Sequence, residues 1–243
     1  MSVGRRISGS RRFTHGAMVM LIGWLLHGPA VATAHELSQP VPVLLERMHD
    51  TLLLINRSKP DQAYAKATAI REDFPDSSRG RLIQEVGLHR TAQRLDATYH
   101  TTLADETTRA LDQKDVSHLQ RVLYSLSFLL ILEKLDRLDL LMQDPGARVE
   151  TRAAVLALAH DYFSHMFERL LRFRAPERIK ALDRLLDRMA VGVKRGDATA
   201  VRALRAEFLA GLVEGFQDHL VDGQLQTVLV AVKGGGALRT ARQ

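Results

Sequence analysis

The sequence predicts an all-α protein: an up-and-down bundle of about six to seven helices behind a cleavable N-terminal segment. Three observations support this fold class. No alternating strand pattern recurs, and β-branched residues are sparse. Proline, glycine and aspartate separate stretches of helical length. The stretch 116–142 is apolar on nearly every face, which is typical of a helix surrounded by other helices.

Composition and charge narrow the function classes. The chain has 243 residues, of which 46% are hydrophobic and 26% charged, as in ordinary globular proteins. It has no cysteine, which excludes disulfides, thiolate metal sites and iron–sulfur clusters. The formal charge is +6, but four arginines lie in the first 34 residues, and the rest of the chain carries only +2. A nearly neutral body does not indicate a nucleic-acid partner.

The N-terminus has the layout of an export signal. Four arginines lie between positions 5 and 12, and an apolar run follows at 17–26. That run is too short to span a bilayer as a helix, which needs about 20 residues. The small residues Ala32-Thr33-Ala34 then predict cleavage after Ala34. We therefore expect a signal peptide at 1–34 and a periplasmic protein, secreted by either the general or the twin-arginine route.

Capping and helix-breaking residues predict the helix boundaries. Asp115 suits the N-cap of the long apolar helix, Pro176 suits a first helical position, and Gly196 suits a helix end. The predicted helices span 40–56, 58–73, 78–112, 115–142, 147–173, 176–194 and 198–220. They form one domain at 35–232, followed by a disordered tail at 233–243.

One row of histidines and carboxylates is predicted on the helix 78–112. At about 100° per residue, Glu85, His89, Asp96 and His100 lie at relative angles of about 0°, 40°, 20° and 60°. They form one narrow stripe beside the apolar face of that helix. The stripe is therefore predicted to border the core instead of facing open solvent.

A second row lies on the helix 147–173, where Asp161, His165 and Glu168 are spaced i, i+4 and i+7. The first helix adds Glu46 and His49 at i, i+3. Imidazole and carboxylate ligands suit iron, copper or zinc, and helical bundles build such sites from facing helices. The alternative is that these are ordinary surface pairs. The predicted metal ligands are Glu85, His89, Asp96, His100, Asp161, His165 and Glu168.

The stretch Ser164-His165-Met166-Phe167-Glu168 contains His-x-x-Glu in a helix of a predicted exported all-α protein. It resembles the imelysin-type periplasmic proteins, helical bundles that are associated with iron uptake and carry a Gly-x-His-x-x-Glu motif. Phe163 stands where that motif has glycine. The resemblance covers five residues and implies that His165 and Glu168 belong to a metal site.

No sequence motif marks a catalytic residue. The chain has no Gly-x-Ser-x-Gly elbow, phosphate-binding glycine loop or His-Glu-x-x-His motif. We therefore expect a periplasmic protein that binds or helps to deliver a metal ion, with iron favoured and copper or zinc as alternatives. A metal oxidase remains a further alternative. The other hypothesis is a non-catalytic interaction or scaffold module, because the basic stretch 169–174 suits an acidic protein partner or peripheral contact with anionic lipid.

Overall fold

A computed structural model describes residues 41–77, 82–216 and residue 219, and these all fall within one compact unit. The prediction of an all-α protein is confirmed, with one very small sheet added. The predicted signal segment at 1–34 and the predicted disordered tail at 233–243 lie outside the described residues. The elements are α1 (Val43–Asn56), α2 (Pro60–Ala69), β1 (Phe74–Asp76), β2 (Ile83–Glu85), α3 (Leu88–Tyr99), α4 (Leu103–Asp112), α5 (Val116–Gln143), α6 (Val149–Phe163), a π-helical segment (Ser164–Glu168), α7 (Arg169–Arg174), α8 (Pro176–Arg195) and α9 (Ala198–Phe216).

The central helix is α5, as its all-round apolar surface predicts. Every residue from Leu123 to Leu132 is buried. This helix packs against α1, α3, α4, α6, α9 and the π-helical segment. Burial of one long helix on all sides gives the bundle its core.

Two aspartates beyond this buried stretch hold neighbouring helices in place. Asp136 accepts a hydrogen bond from the Tyr99 hydroxyl of α3 at 2.9 Å and pairs with Arg205 of α9. One turn further on, Asp139 pairs with Arg202 of α9 at 3.2 Å. These half-buried contacts fix the positions of α3 and α9 along α5, since a shift of either helix would leave a carboxylate without its partner.

The prediction of a single helix at 78–112 is wrong. Within this range Ile83–Glu85 form a strand, β2, which pairs antiparallel with β1 so that Phe74 lies opposite Glu85. Gly87 then leads into α3, and a Cβ there would lie only 2.2 Å from the carbonyl oxygen of Glu72. The Gly87 N–H donates to Asp73 at 2.9 Å. The close backbone approach requires glycine, and the hairpin ends where α3 begins.

The boundaries set by local capping agree with prediction. The Asp115 carboxylate accepts from the backbone N–H of His118 at 3.0 Å, as an N-cap does. Pro176 occupies the first turn of α8. Gly196 ends α8 with a φ of 70°, the left-handed region that glycine enters without steric strain.

The helix predicted at 147–173 is interrupted. It consists of α6, the π-helical segment and α7, which continue one another. The segment adds a residue to the turn, so the spacing of side chains along 161–168 departs from that of a regular α-helix. No helix among the described residues has the length and apolar character to cross a bilayer.

Candidate functional site

Asp96, one of the two acidic residues of the first predicted row, lies near the end of α3 and caps the next helix, α4. The Asp96 carboxylate accepts from the Thr101 hydroxyl at 2.5 Å and from the backbone N–H groups of Leu103 and Ala104 at 2.7 and 2.9 Å. Two of these donors open α4 and have no partner inside that helix. The carboxylate therefore satisfies the N-terminus of α4 across the turn.

The other members of this row are spread over three kinds of structure. Glu85 is in β2, His89 is in the first turn of α3, and His100 ends α3 in the left-handed conformation with a φ of 55°. The His89 Nε2 atom lies 3.0 Å from the Gln93 side-chain amide. Because the chain is not one helix here, the angles of a helical wheel do not describe these positions.

Among the residues described, no three His, Asp or Glu side chains gather in a way that could hold a metal ion. Metal binding by the seven residues named from the sequence therefore stays a prediction. The capping bonds of Asp96 already supply a structural reason for its carboxylate.

The second predicted row opens onto a cleft. The π-helical segment turns Met166 and Phe167 into the core, where the Phe167 ring lies edge-on to Phe216 with centroids 4.5 Å apart. Its opposite side lines a cleft of about 550 Å³. The aromatic contacts below hold the backbone of the segment in place. The cleft is lined by His49, Ser164, His165, Glu168, Arg169, Arg172 and Phe173.

Two imidazoles from separate elements meet in this cleft. His49 of α1 and His165 of the π-helical segment lie edge-to-face, with ring centroids 5.7 Å apart. The His165 Nδ1 atom lies 2.9 Å from the carbonyl oxygen of Asp161. A proton on Nδ1 satisfies that oxygen and leaves Nε2 as the acceptor nitrogen of the neutral ring.

Positive charge dominates the cleft. Glu168 pairs with Arg172 one turn along, and both are cleft residues. Arg169 is exposed and forms no ion pair within the described part of the chain. Burial lowers the pKa of His49 below its usual value, and the nearby His165 and Arg169 lower it further, while Asp50 raises it. His49 is therefore mainly neutral at pH 7, and the net positive charge comes from the arginines.

The structure brings together only part of what the sequence singled out. His165 and Glu168 line the cleft with residues of the basic stretch 169–174, whereas Asp161 contributes its backbone carbonyl. His49 belongs to the cleft but Glu46, its predicted companion, does not. The approach of His49 to His165 was missed, because no local pattern links two residues so distant in sequence.

Comparison with known proteins supplies no relative. No family model matches the chain, and neither a curated protein nor a solved structure matches it. The resemblance to the imelysin-type proteins therefore stays a prediction based on five residues.

Proposed function

We propose that this protein is an exported, non-catalytic binding module of the periplasm, and that its cleft receives an acidic group of an envelope partner. The observation that carries the proposal is the cleft between α1 and α7, which two arginines and only one carboxylate line. A carboxylate or phosphate of a partner would find guanidinium donors there. This is the interaction-module alternative of the sequence analysis, now assigned to named residues.

The arrangement of charge supports an anionic ligand. Arg172 forms an ion pair with Glu168, and both side chains line the cleft. Arg169 is exposed beside it and available to an incoming anion. Guanidinium groups bind planar oxyanions through paired hydrogen bonds, so two of them on one short helix form a suitable receptor.

Titration calorimetry with glycerol phosphate and with a hexaglutamate peptide tests the proposal. We expect binding that weakens about tenfold in the double variant Arg169→Gln/Arg172→Gln, because each exposed guanidinium contributes about 0.7 kcal/mol after screening by solvent and salt. The matched control is Arg184→Gln/Arg188→Gln, which removes two exposed arginines of α8. Equal binding by both double variants, or no binding of either probe by the native protein, contradicts the proposal.

Export is a separate part of the proposal and rests on the N-terminal sequence. Fractionation of expressing cells and intact-mass measurement test it directly. We expect the protein in the periplasmic fraction with His35 as its first residue. A cytoplasmic protein of full mass would contradict export and would leave the properties of the cleft unaffected.

Metal binding or delivery is the second candidate function, with iron favoured and copper or zinc as alternatives. The observation that favours it is that His165 and Glu168 line one cleft with His49. Calorimetry with ferric, cupric and zinc ions on protein without a histidine tag tests it. Binding at micromolar affinity that His165→Ala abolishes would favour this function over the anion receptor, and the absence of heat with all three ions would remove it.

A further inference from the structure

An exposed aromatic residue stands at the edge of the basic cleft. Phe173 is 85% exposed, the highest value among the large hydrophobic side chains that the structure describes. It lines the same cleft as Arg169 and Arg172. A phenylalanine this exposed gains nothing from the fold, so its position beside two arginines suggests a ligand with both apolar and anionic parts.

The two arginines and the phenylalanine belong to one short helix, α7, and their side chains are exposed to solvent. The helix stops at Arg174, because the next residue precedes Pro176 and has a non-helical backbone, with a φ of −149° and a ψ of 68°. Behind α7, the π-helical segment is fixed by its aromatic contacts with the core. The charged and aromatic side chains therefore project from a supported base.

We propose that the cleft binds the phosphate headgroup of an anionic phospholipid and that Phe173 enters the membrane interface beside it. The inference rests on the proposed function and names the ligand class for the same site. An arginine pair neutralises the phosphate, and an aromatic side chain next to it is buried at the level of the acyl chains. A free phosphate or an acidic peptide uses the arginines equally well but leaves Phe173 in water.

The two candidate sources of the phosphate differ in one measurable way. A lipid makes binding depend on both Phe173 and the arginines, whereas a soluble anion makes it depend on the arginines alone. Leu140 of α5 is also well exposed, at 61%, and does not line the cleft. Its replacement by alanine is a matched control for loss of an exposed apolar side chain.

Vesicle flotation tests the inference with protein purified as the cell processes it. The vesicles contain phosphatidylcholine alone or with phosphatidylglycerol, at low and high salt. We expect binding only to the phosphatidylglycerol vesicles, with weaker binding at high salt. Arg169→Gln/Arg172→Gln should lower the partition coefficient about 30-fold, at about 1 kcal/mol for each arginine. Phe173→Ala should lower it about tenfold. Leu140→Ala and Arg184→Gln/Arg188→Gln should leave it unchanged.

Three results overturn the inference. One is equal binding to both kinds of vesicle, and another is binding to phosphatidylglycerol that none of the cleft variants changes. The third is calorimetric binding of glycerol phosphate without any vesicle binding, which would leave the anion receptor in place and exclude the lipid. If the native protein binds neither glycerol phosphate nor the vesicles, the proposed function is removed as well. The substituted side chains are exposed, so circular dichroism of each variant should match that of the native protein.

Discussion

The turn between α3 and α4 and the cleft beside α7 contain the same residue types and use them differently. At the turn, both oxygens of Asp96 are engaged by donors that open α4. At the cleft, Glu168 is paired with a side chain, Arg172, that itself lines an open surface. A carboxylate that satisfies backbone N–H groups is part of the fold, whereas one that pairs with an exposed arginine leaves that arginine within reach of a ligand. The hydrogen-bond partners therefore separate the two roles, and the sequence pattern does not.

The largest expected effect concerns the turn. Asp96→Ala removes a cap that satisfies two orphan N–H groups of α4, and it should lower the free energy of unfolding by about 2–3 kcal/mol. Urea denaturation measures this change. The anion affinity of the cleft should stay the same. A variant of native stability would show that Asp96 does not cap α4.

The next effect concerns the cleft. Glu168→Gln removes its carboxylate and releases Arg172, so calorimetry should show anion binding about fivefold tighter, a change of about 1 kcal/mol. The metal hypothesis predicts the opposite behaviour, a loss of metal affinity. Weaker anion binding in this variant would contradict the assignment of Arg172 to ligand capture.

A smaller effect on stability is expected at the turn between α3 and α4. His100 adopts a left-handed conformation with a φ of 55° at the end of α3, where glycine is favoured. His100→Gly should raise the free energy of unfolding by about 0.5–1 kcal/mol in thermal or urea unfolding. If His100 is instead a metal ligand, the same change should reduce metal affinity, and calorimetry on the variant would show it.

The smallest effect is a pH dependence at the cleft. The pKa of His49 is lowered in the folded state by burial and by the nearby His165 and Arg169. Protons therefore bind the unfolded chain more readily than the folded one. The resulting stability is present above the unfolded pKa, about 6.5, and is lost as the pH falls toward the folded value. Urea unfolding from pH 7.5 to 5 should show a shallower loss in His49→Gln than in the native protein, and parallel curves would contradict this.

The parts of the fold that sequence predicts well depend on local chemistry. Asp115, Pro176 and Gly196 each act on their own helix end, and each acts as predicted. The continuous apolar surface of α5 also predicts its central position, because such a surface requires neighbours on all sides.

The parts that sequence misses depend on contacts between segments. The prediction of one helix at 78–112 is wrong because β1 pairs with β2, and because the Asp96 carboxylate caps a new helix, α4, across the turn. The π-helical turn and the meeting of His49 with His165 also depend on packing between distant segments. Five of the seven residues that line the candidate cleft lie between 165 and 173, and the sequence pattern of that stretch nevertheless marked it in advance.

Hydrogen exchange with and without phosphatidylglycerol vesicles tests the central assignment most directly. If the cleft beside α7 receives the lipid headgroup, amide protection should increase in 164–174 and in the facing part of α1, and it should not change in 88–112. Protection that appears in 88–112, or exchange that stays unchanged in 164–174 while the protein is bound to vesicles, would contradict the assignment.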